Sequence, residues 1–231
     1  MIFRQLFDSE SSTYTYLIAD SDSREACLID PVLEKVETYL VLLSELNLKL
    51  MFSIDTHVHA DHITASGRLR EITDCKSVIG DAGVSCASEL LEDGKYFKIG
   101  SLQLKALYTP GHTDNSFCFY LETKCRKYLF SGDTLLIRGT GRTDFQNGDP
   151  KMLFNSLHEK VLKLPEETCV YPGHDYKGWT MSTIKEEKLH NPRLQFQKMA
   201  DFVQHMNNLK LANPKMMDIA VPANLKCGSK V

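Results

Sequence analysis

The segment 55–62 is rich in side chains that bind metals. Three histidines and two aspartates lie within these eight residues, and residues 57–62 have the order H-x-H-x-D-H. His57 and His59 are two positions apart, so on an extended backbone both side chains point to the same side. Imidazoles and a carboxylate that converge on one point are ligands for zinc, iron or manganese. The spacing predicts a metal-binding segment and disfavours a histidine-rich surface turn. Asp61 and His62, the last two polar residues of the H-x-H-x-D-H pattern, are expected at the turn into a helix.

Three further polar residues follow apolar, strand-like segments. His112 and His174 each come after a Pro-Gly pair, and Asp133 comes after Ser-Gly. A single turn of this kind is usually only a turn. Sheet scaffolds, however, build metal sites from ligands on loops at the ends of strands. Together with segment 55–62, these loops therefore predict one metal site.

The elements that must position these loops form two β-rich runs, each followed by helices. Apolar residues at helical spacing predict helices over 36–46, after His62, over 153–161 and over 199–209, and Asn191-Pro192 is a typical helix start. The stripe over 199–209 is interpreted as core packing. The order predicts sheets covered by helices in a single domain over 1–231, with a helical C-terminal tail. The predicted strands are 14–18, 26–29, 50–54, 78–79, 96–99, 102–107, 117–121, 128–130 and 169–171.

Composition excludes several classes of protein. Hydrophobic residues make up 42% of the 231 residues and charged residues 25%, which is typical of a globular chain. The net charge of −3 gives no basic field for nucleic acid. We expect no membrane segment, no signal peptide and no transit peptide in the first residues. Seven cysteines without C-x-x-C spacing favour free thiols in a reducing compartment, and hence a cytosolic protein.

The full set of motifs resembles the metallo-β-lactamase superfamily. The match covers nearly the whole chain: H-x-H-x-D-H at 57–62, then His112, Asp133 and His174. This resemblance implies an α+β fold, an αββα sandwich with the metal site at one edge of its two sheets. Hydrolytic members bind two zinc ions with the corresponding residues, so the residue types alone leave one metal or two open.

Longer segments narrow the resemblance to the persulfide dioxygenases of the ethylmalonic encephalopathy protein type. That family oxidises glutathione persulfide with O₂ to sulfite and glutathione, in mitochondria of eukaryotes and in the cytoplasm of bacteria. The resemblance implies one Fe(II) per chain held by His57, His112 and Asp133, a facial triad of non-haem oxygenases. It leaves His59, Asp61, His62 and His174 to orient the ligands and water. A mitochondrial location would require that a transit peptide had been removed. The segments that carry the resemblance are 56–64, 131–146, 171–176, 191–193 and 221–224.

Substrate contacts are predicted from the chemistry of glutathione, which carries two carboxylates. Arginine binds carboxylates in a bidentate manner, so Arg142 is the first candidate, Tyr176 the second and Arg138 the third. The alternative for Arg142 is a structural pair with Asp144. Glycines at 139 and 141 are expected to let this loop pass close to the site.

Two other functions compete with the dioxygenase. One is a dinuclear thioester hydrolase of the glyoxalase II kind (a hydroxyacylglutathione hydrolase), in which a metal-bound hydroxide attacks the thioester. The other is a metal-stabilised binding module without turnover, which the complete ligand set disfavours. The cysteines show no nucleophile–base pattern and are expected to be small hydrophobes or surface thiols. Cys227, in a polar tail, is a minor candidate for reaction with persulfide. No periodic seam locates a homodimer interface, although a homodimer is left open.

Overall fold

A computed structural model describes residues 1–214 and 216–228. The described chain divides into two compact units. The first unit contains residues 1–91, 96–104 and the described residues from 213 onward, and the second contains 92–95 and 105–212. The prediction of a single domain over 1–231 stays a prediction.

A mixed six-stranded sheet forms the framework of the first unit. Its strands follow one another in sequence order, and the first two pairings are antiparallel while the other three are parallel. Because parallel neighbours end at the same edge of a sheet, the loops that follow them gather there. The strands are β1 (Ile2–Asp8), β2 (Thr13–Ala19), β3 (Glu25–Ile29), β4 (Lys49–Ile54), β5 (Lys76–Ile79) and β6 (Glu89–Leu90).

A second six-stranded sheet has the order β12-β11-β10-β9-β8-β7. The pair β10 and β11 is parallel, and each of these strands has an antiparallel partner on its other side, β9 and β12 respectively. The strands are β7 (Tyr96–Ile99), β8 (Leu102–Tyr108), β9 (Phe117–Glu122), β10 (Lys127–Gly132), β11 (Cys169–Pro172) and β12 (Ser182–Thr183).

Helices supply apolar faces for each unit. In the first unit, buried Tyr39 and Leu43 pack in one cluster with strand residues such as Leu17 and Leu28. In the second, Leu153 and Phe202 belong to the corresponding cluster. Full burial of each such side chain contributes about 1.5–3 kcal/mol. The helices are α1 (Val36–Glu45), α2 (Ser66–Thr73), α3 (Pro150–Asn155), α4 (Ile184–His190), α5 (Met199–Asn207) and α6 (Met217–Asn224).

Every strand and helical stripe predicted from periodicity has a counterpart in the structure. The helix start predicted at Asn191 gives a shorter element than expected. Asn191-Pro192 starts only the 3₁₀ turn Pro192–Leu194, and α5 begins separately at Met199. Asn191 nevertheless caps that turn, since its side chain accepts a hydrogen bond from the N–H of Arg193 at 3.0 Å. Of the 199–209 stripe, Phe202 and Met206 lie in the core and Leu209 packs against it, as predicted, whereas Met199 and Val203 are outside this cluster. No helix among the described residues is long and apolar enough to cross a bilayer.

The expectation that all seven cysteines are free thiols is wrong for two of them. Cys86 and Cys227 form a disulfide, and Cys227 is 6% exposed instead of lying in a polar tail. Their separation of 141 residues gives no local spacing signal in the sequence. The other five cysteines are free, as predicted: four are buried and Cys125 is exposed.

Candidate metal centre

In the first unit, strand β4 leads directly into the histidine-rich segment. The backbone of Asp55 continues the pairing with β5 by donating to the carbonyl of Val78 at 2.9 Å. Beyond it the chain bends, and three imidazoles pack against one another inside the unit. The ring centroids of His57 and His59 are 4.2 Å apart, and those of His59 and His62 are 4.3 Å apart. All three histidines are almost fully buried. The rings of His57 and His59 thus lie together, although the backbone that carries them is not a strand as expected.

The imidazole of His57 is oriented by a relay of hydrogen bonds. Its Nδ1 lies 2.9 Å from the hydroxyl of Thr56, and that hydroxyl donates to Asp30 Oδ2 at 3.0 Å. Because the only hydroxyl proton goes to Asp30, the network assigns a proton to Nδ1 of His57. Nε2 then keeps its lone pair, the state that metal coordination requires.

Asp30 also fixes His59. Its Oδ1 accepts the N–H of Thr56 at 2.7 Å and lies 3.1 Å from Nε2 of His59. Burial by itself would lower the pKa of His59, but the charges of Asp30, Asp61 and Asp55 outweigh it and raise that pKa to about 9. Sequence analysis did not single out Asp30, because it stands alone after β3 without a motif around it. Its one local signal in the structure is a left-handed backbone conformation, with φ of 52°.

His62 is held by Asp61, whose Oδ2 lies 2.9 Å from its Nδ1. The hydroxyl of Thr13 also contacts both side chains. The opposite ring nitrogen of His62, Nε2, is buried without a hydrogen-bond partner, and so is Nδ1 of His59. Buried polar atoms are normally satisfied, so two such nitrogens in one cluster are typical of ligands that face a metal.

The second unit brings together His112, Asp133 and His174. Asp133 and His174 follow the parallel strands β10 and β11, and His112 lies in the turn between β8 and β9. Nε2 of His112 is 3.6 Å from Asp133 Oδ2, and Nε2 of His174 is 3.6 Å from Asp133 Oδ1. Oδ1 is buried and has no hydrogen-bond partner. A distance of 3.6 Å is too long for a hydrogen bond but fits two ligands that each lie about 2 Å from one ion. These residues therefore fit a metal.

Nδ1 of His112 lies 2.7 Å from the main-chain carbonyl of Arg142, which can only accept a hydrogen bond. Nδ1 consequently carries the proton and Nε2 is available to a metal. Two glycines make room for this arrangement. A Cβ at Gly141 would lie 2.8 Å from the His112 ring, and one at Gly173 would lie 2.8 Å from Asp133 Oδ1. The expected close approach is confirmed at Gly141, whereas a Cβ at Gly139 would make only an ordinary contact with the side chain of Leu136 at 3.9 Å.

The guanidinium of Arg142 is engaged within its own unit. Nε and Nη2 form a bidentate pair with Asp144 at 2.6 and 2.7 Å. Nη1 donates to the carbonyl of Ala212 at 2.6 Å, and the guanidinium lies over the ring of Phe145. These contacts are those of the structural Arg142–Asp144 pair weighed above.

Arg138 and Tyr176 differ in what they offer to a ligand. Both terminal nitrogens of Arg138 contact carboxylates, one of Glu186 and one of the fully buried Glu187. Tyr176 is 74% exposed, and its ring stacks 6.1 Å from that of His174. Of the three predicted substrate contacts, Tyr176 presents the most open surface.

Comparison with known proteins identifies the class. Residues 88–174 match the family model of the metallo-beta-lactamase superfamily. A solved structure, the ETHE1 protein from Myxococcus xanthus, is 54% identical with a TM-score of 0.95, over 99% of this chain and 100% of that one. The fold, two mixed sheets with flanking helices, is that of the superfamily, and the predicted fold class is confirmed.

The particular family follows from a full-length match. The human protein "Persulfide dioxygenase ETHE1, mitochondrial" is 46% identical over 229 residues, 99% of this chain and 89% of its own length. A probable hydroxyacylglutathione hydrolase from Schizosaccharomyces pombe is 28% identical over 87% of this chain and 77% of its own. The chain belongs to the persulfide dioxygenase family, as its motifs predicted.

Proposed function

We propose that the chain binds one Fe(II) through His57, His112 and Asp133 and oxidises glutathione persulfide with O₂. The support within the second unit is the 3.6 Å separation between Nε2 of His112 and Oδ2 of Asp133, which suits two ligands of one ion. The support for His57 is its relay to Asp30, which presents Nε2 as a ligand. Two imidazoles and one carboxylate are the donor set of non-haem iron oxygenases. Iron bound there would supply the electron chemistry with O₂ that protein side chains lack.

The chain's own residues prepare this donor set before any metal binds. The Arg142 carbonyl and the Thr56 hydroxyl hold the protons on Nδ1 of His112 and His57. Burial of His57 limits the access of bulk water to its ring. In the overall reaction one persulfide, one O₂ and one water give one thiol, one sulfite and two protons. The sulfane sulfur is oxidised, O₂ is reduced, and the S–S bond is broken.

We propose Tyr176 as the contact to the glutathione moiety, because its side chain is exposed and its ring stacks on that of His174, a residue of the candidate site. Tyr176→Phe should raise the KM for glutathione persulfide and leave bound iron unchanged, as measured by oxygen uptake and metal analysis. An unchanged KM would remove Tyr176 from the substrate site. Substrate binding by Arg142 or Arg138 stays a prediction, since each would have to accept a ligand beside its present carboxylate partners.

The function is tested by elemental analysis together with an oxygen electrode. The proposal expects one iron per chain and oxygen consumption that depends on glutathione persulfide. The location that this family membership favours is the mitochondrial matrix in a eukaryote and the cytoplasm in a bacterium, which fractionation of the source cells would test.

A dinuclear thioester hydrolase remains the second candidate. Nδ1 of His59 and Nε2 of His62 are buried without hydrogen-bond partners, as ligands of a second ion would be. The similarity to the probable hydroxyacylglutathione hydrolase points the same way. Two metals per chain with turnover of S-lactoylglutathione, and no oxygen uptake with persulfide, would establish the hydrolase and overturn the dioxygenase.

A further inference from the structure

Helix α6 reaches the histidine-rich loop of the first unit through one side chain. Asn224, the last residue of α6, is 1% exposed. Its Nδ2 donates to the carbonyls of His59 at 2.9 Å and His62 at 2.8 Å, and its Oδ1 accepts the N–H of Thr64 at 2.8 Å. One amide thus joins three main-chain groups of a six-residue stretch, 59–64.

The same helix also packs against apolar residues within the motif and directly after it. Ala220 and Ala223 form a cluster with Ile63. Val221 packs against a second cluster that contains Val58, the residue between His57 and His59. Helix α6 therefore contacts this loop through apolar packing as well as through the hydrogen bonds of Asn224.

The chain after α6 lies so close to the loop that two glycines are required. A Cβ on Gly67 would lie 2.4 Å from the carbonyl oxygen of Cys227, which accepts the Gly67 N–H at 3.0 Å. A Cβ on Gly228 would lie 2.0 Å from the carbonyl oxygen of Thr64. Any side chain at either position would push the segment away from the loop.

The Cys86–Cys227 disulfide fastens this segment three residues beyond Asn224. Of the two cysteines, Cys86 is partly buried and Cys227 is buried. Disulfides in reducing compartments are usually transient or redox-sensing. Reduction would consume two thiols, give the free thiols of Cys86 and Cys227, and release one small-molecule disulfide.

We propose that Asn224 is a positioning residue for the loop 57–64, which carries the proposed ligand His57, and that the Cys86–Cys227 disulfide makes its hold redox-sensitive. Oxidised, the disulfide keeps Asn224 on the carbonyls of His59 and His62, and the loop is ordered for metal. When the disulfide is reduced, the segment after α6 undocks more often. The apparent metal affinity then equals the affinity of the docked state multiplied by the fraction of molecules that remain docked. The role of the loop in metal binding rests on the proposed function, whereas the hydrogen bonds of Asn224 to residues 59–64 do not depend on it.

The test combines hydrogen exchange of the metal-free chain with Fe(II) titration under anaerobic conditions. Asn224→Ala should accelerate exchange in 59–67 roughly tenfold or more, as expected for the loss of two or three hydrogen bonds, and leave exchange in β2 unchanged. The Fe(II) dissociation constant should rise by a similar factor. Asn191→Ala is the matched control, because Asn191 is also buried and its amide donates to Gly139 and Glu187 of the second unit. It should leave exchange in 59–67 unchanged.

The disulfide is tested with Cys86→Ser, which also serves if Asn224→Ala fails to fold. Reductant should accelerate exchange in 59–67 of the natural chain several-fold but have no further effect on Cys86→Ser. Cys125→Ser should respond like the natural chain. Unchanged loop exchange in Asn224→Ala would overturn the positioning role, and unchanged exchange after complete reduction would overturn the redox control. If the natural chain binds no iron, the proposed function is refuted instead. The exchange data still show whether Asn224 and the disulfide order residues 59–67.

Discussion

The main-chain carbonyl of Arg142 fixes the ring of His112, whose Nδ1 lies 2.7 Å away. The same residue anchors its loop with its side chain, through Asp144 and the carbonyl of Ala212. The guanidinium and the carbonyl of one residue thus connect loop stability to the orientation of a predicted metal ligand.

Arg142→Ala should therefore weaken metal binding. The carbonyl remains in this variant, but the loop that presents it loses its ion pair, and we expect the metal dissociation constant to rise about tenfold. Arg68→Ala, which removes only an exposed ion pair with Glu71, should leave it unchanged. A higher KM for glutathione persulfide with unaltered metal affinity would instead make Arg142 a substrate contact.

Asp133→Ala should abolish iron loading, because two imidazoles without a carboxylate do not neutralise the charge of the ion. Iron per chain, measured after purification, is the readout. Asp149→Ala removes a carboxylate that caps α3 and should cost about 1 kcal/mol of stability while iron is retained. Normal iron content in Asp133→Ala would exclude Asp133 as a ligand.

Thr56→Val tests the relay from His57 to Asp30. Valine keeps the shape of the buried side chain but removes the hydroxyl that accepts from Nδ1 of His57. Metal affinity should fall roughly 10- to 100-fold. Thr56→Ser keeps the hydroxyl and should bind metal almost normally, so equal affinities for the two variants would refute the relay.

Asp20 makes the stability of the first unit depend on pH. Hydrogen bonds from the backbone N–H groups of Asp22 and Ser101 lower the pKa of Asp20 from 3.8 to about 2. The folded state thus favours the ionised form, so this stabilisation is complete above about pH 4 and is lost as the pH falls toward 2. In urea titrations, the free energy of unfolding of the natural chain should exceed that of Asp20→Asn at pH 7. The difference should shrink below pH 4, and a constant difference down to pH 3 would contradict this assignment.

Sequence periodicity and motif order predicted nine of the twelve strands that the described residues form, but not β1, β6 or β12. They also predicted the loops that carry the histidines and Asp133. Those predictions depend on the types of side chains and on their regular spacing, and both can be read from the sequence alone. The carbonyl of Arg142 carries no such signal, because every residue has a carbonyl and only the fold selects one. Asp30 was missed for a related reason, since a single aspartate after a strand resembles a turn residue. The Cys86–Cys227 disulfide joins positions 141 residues apart, and only tertiary structure brings them together.

The long separation between Asn224 and the loop it holds has a consequence for biosynthesis. Thr64 precedes Asn224 by 160 residues, so a nascent chain on the ribosome exposes the histidines long before α6 exists. During that interval the carbonyls of His59 and His62 lack their partner. The hydrogen bonds that order residues 59–64 therefore form only after translation has passed residue 224, and not as the histidines emerge.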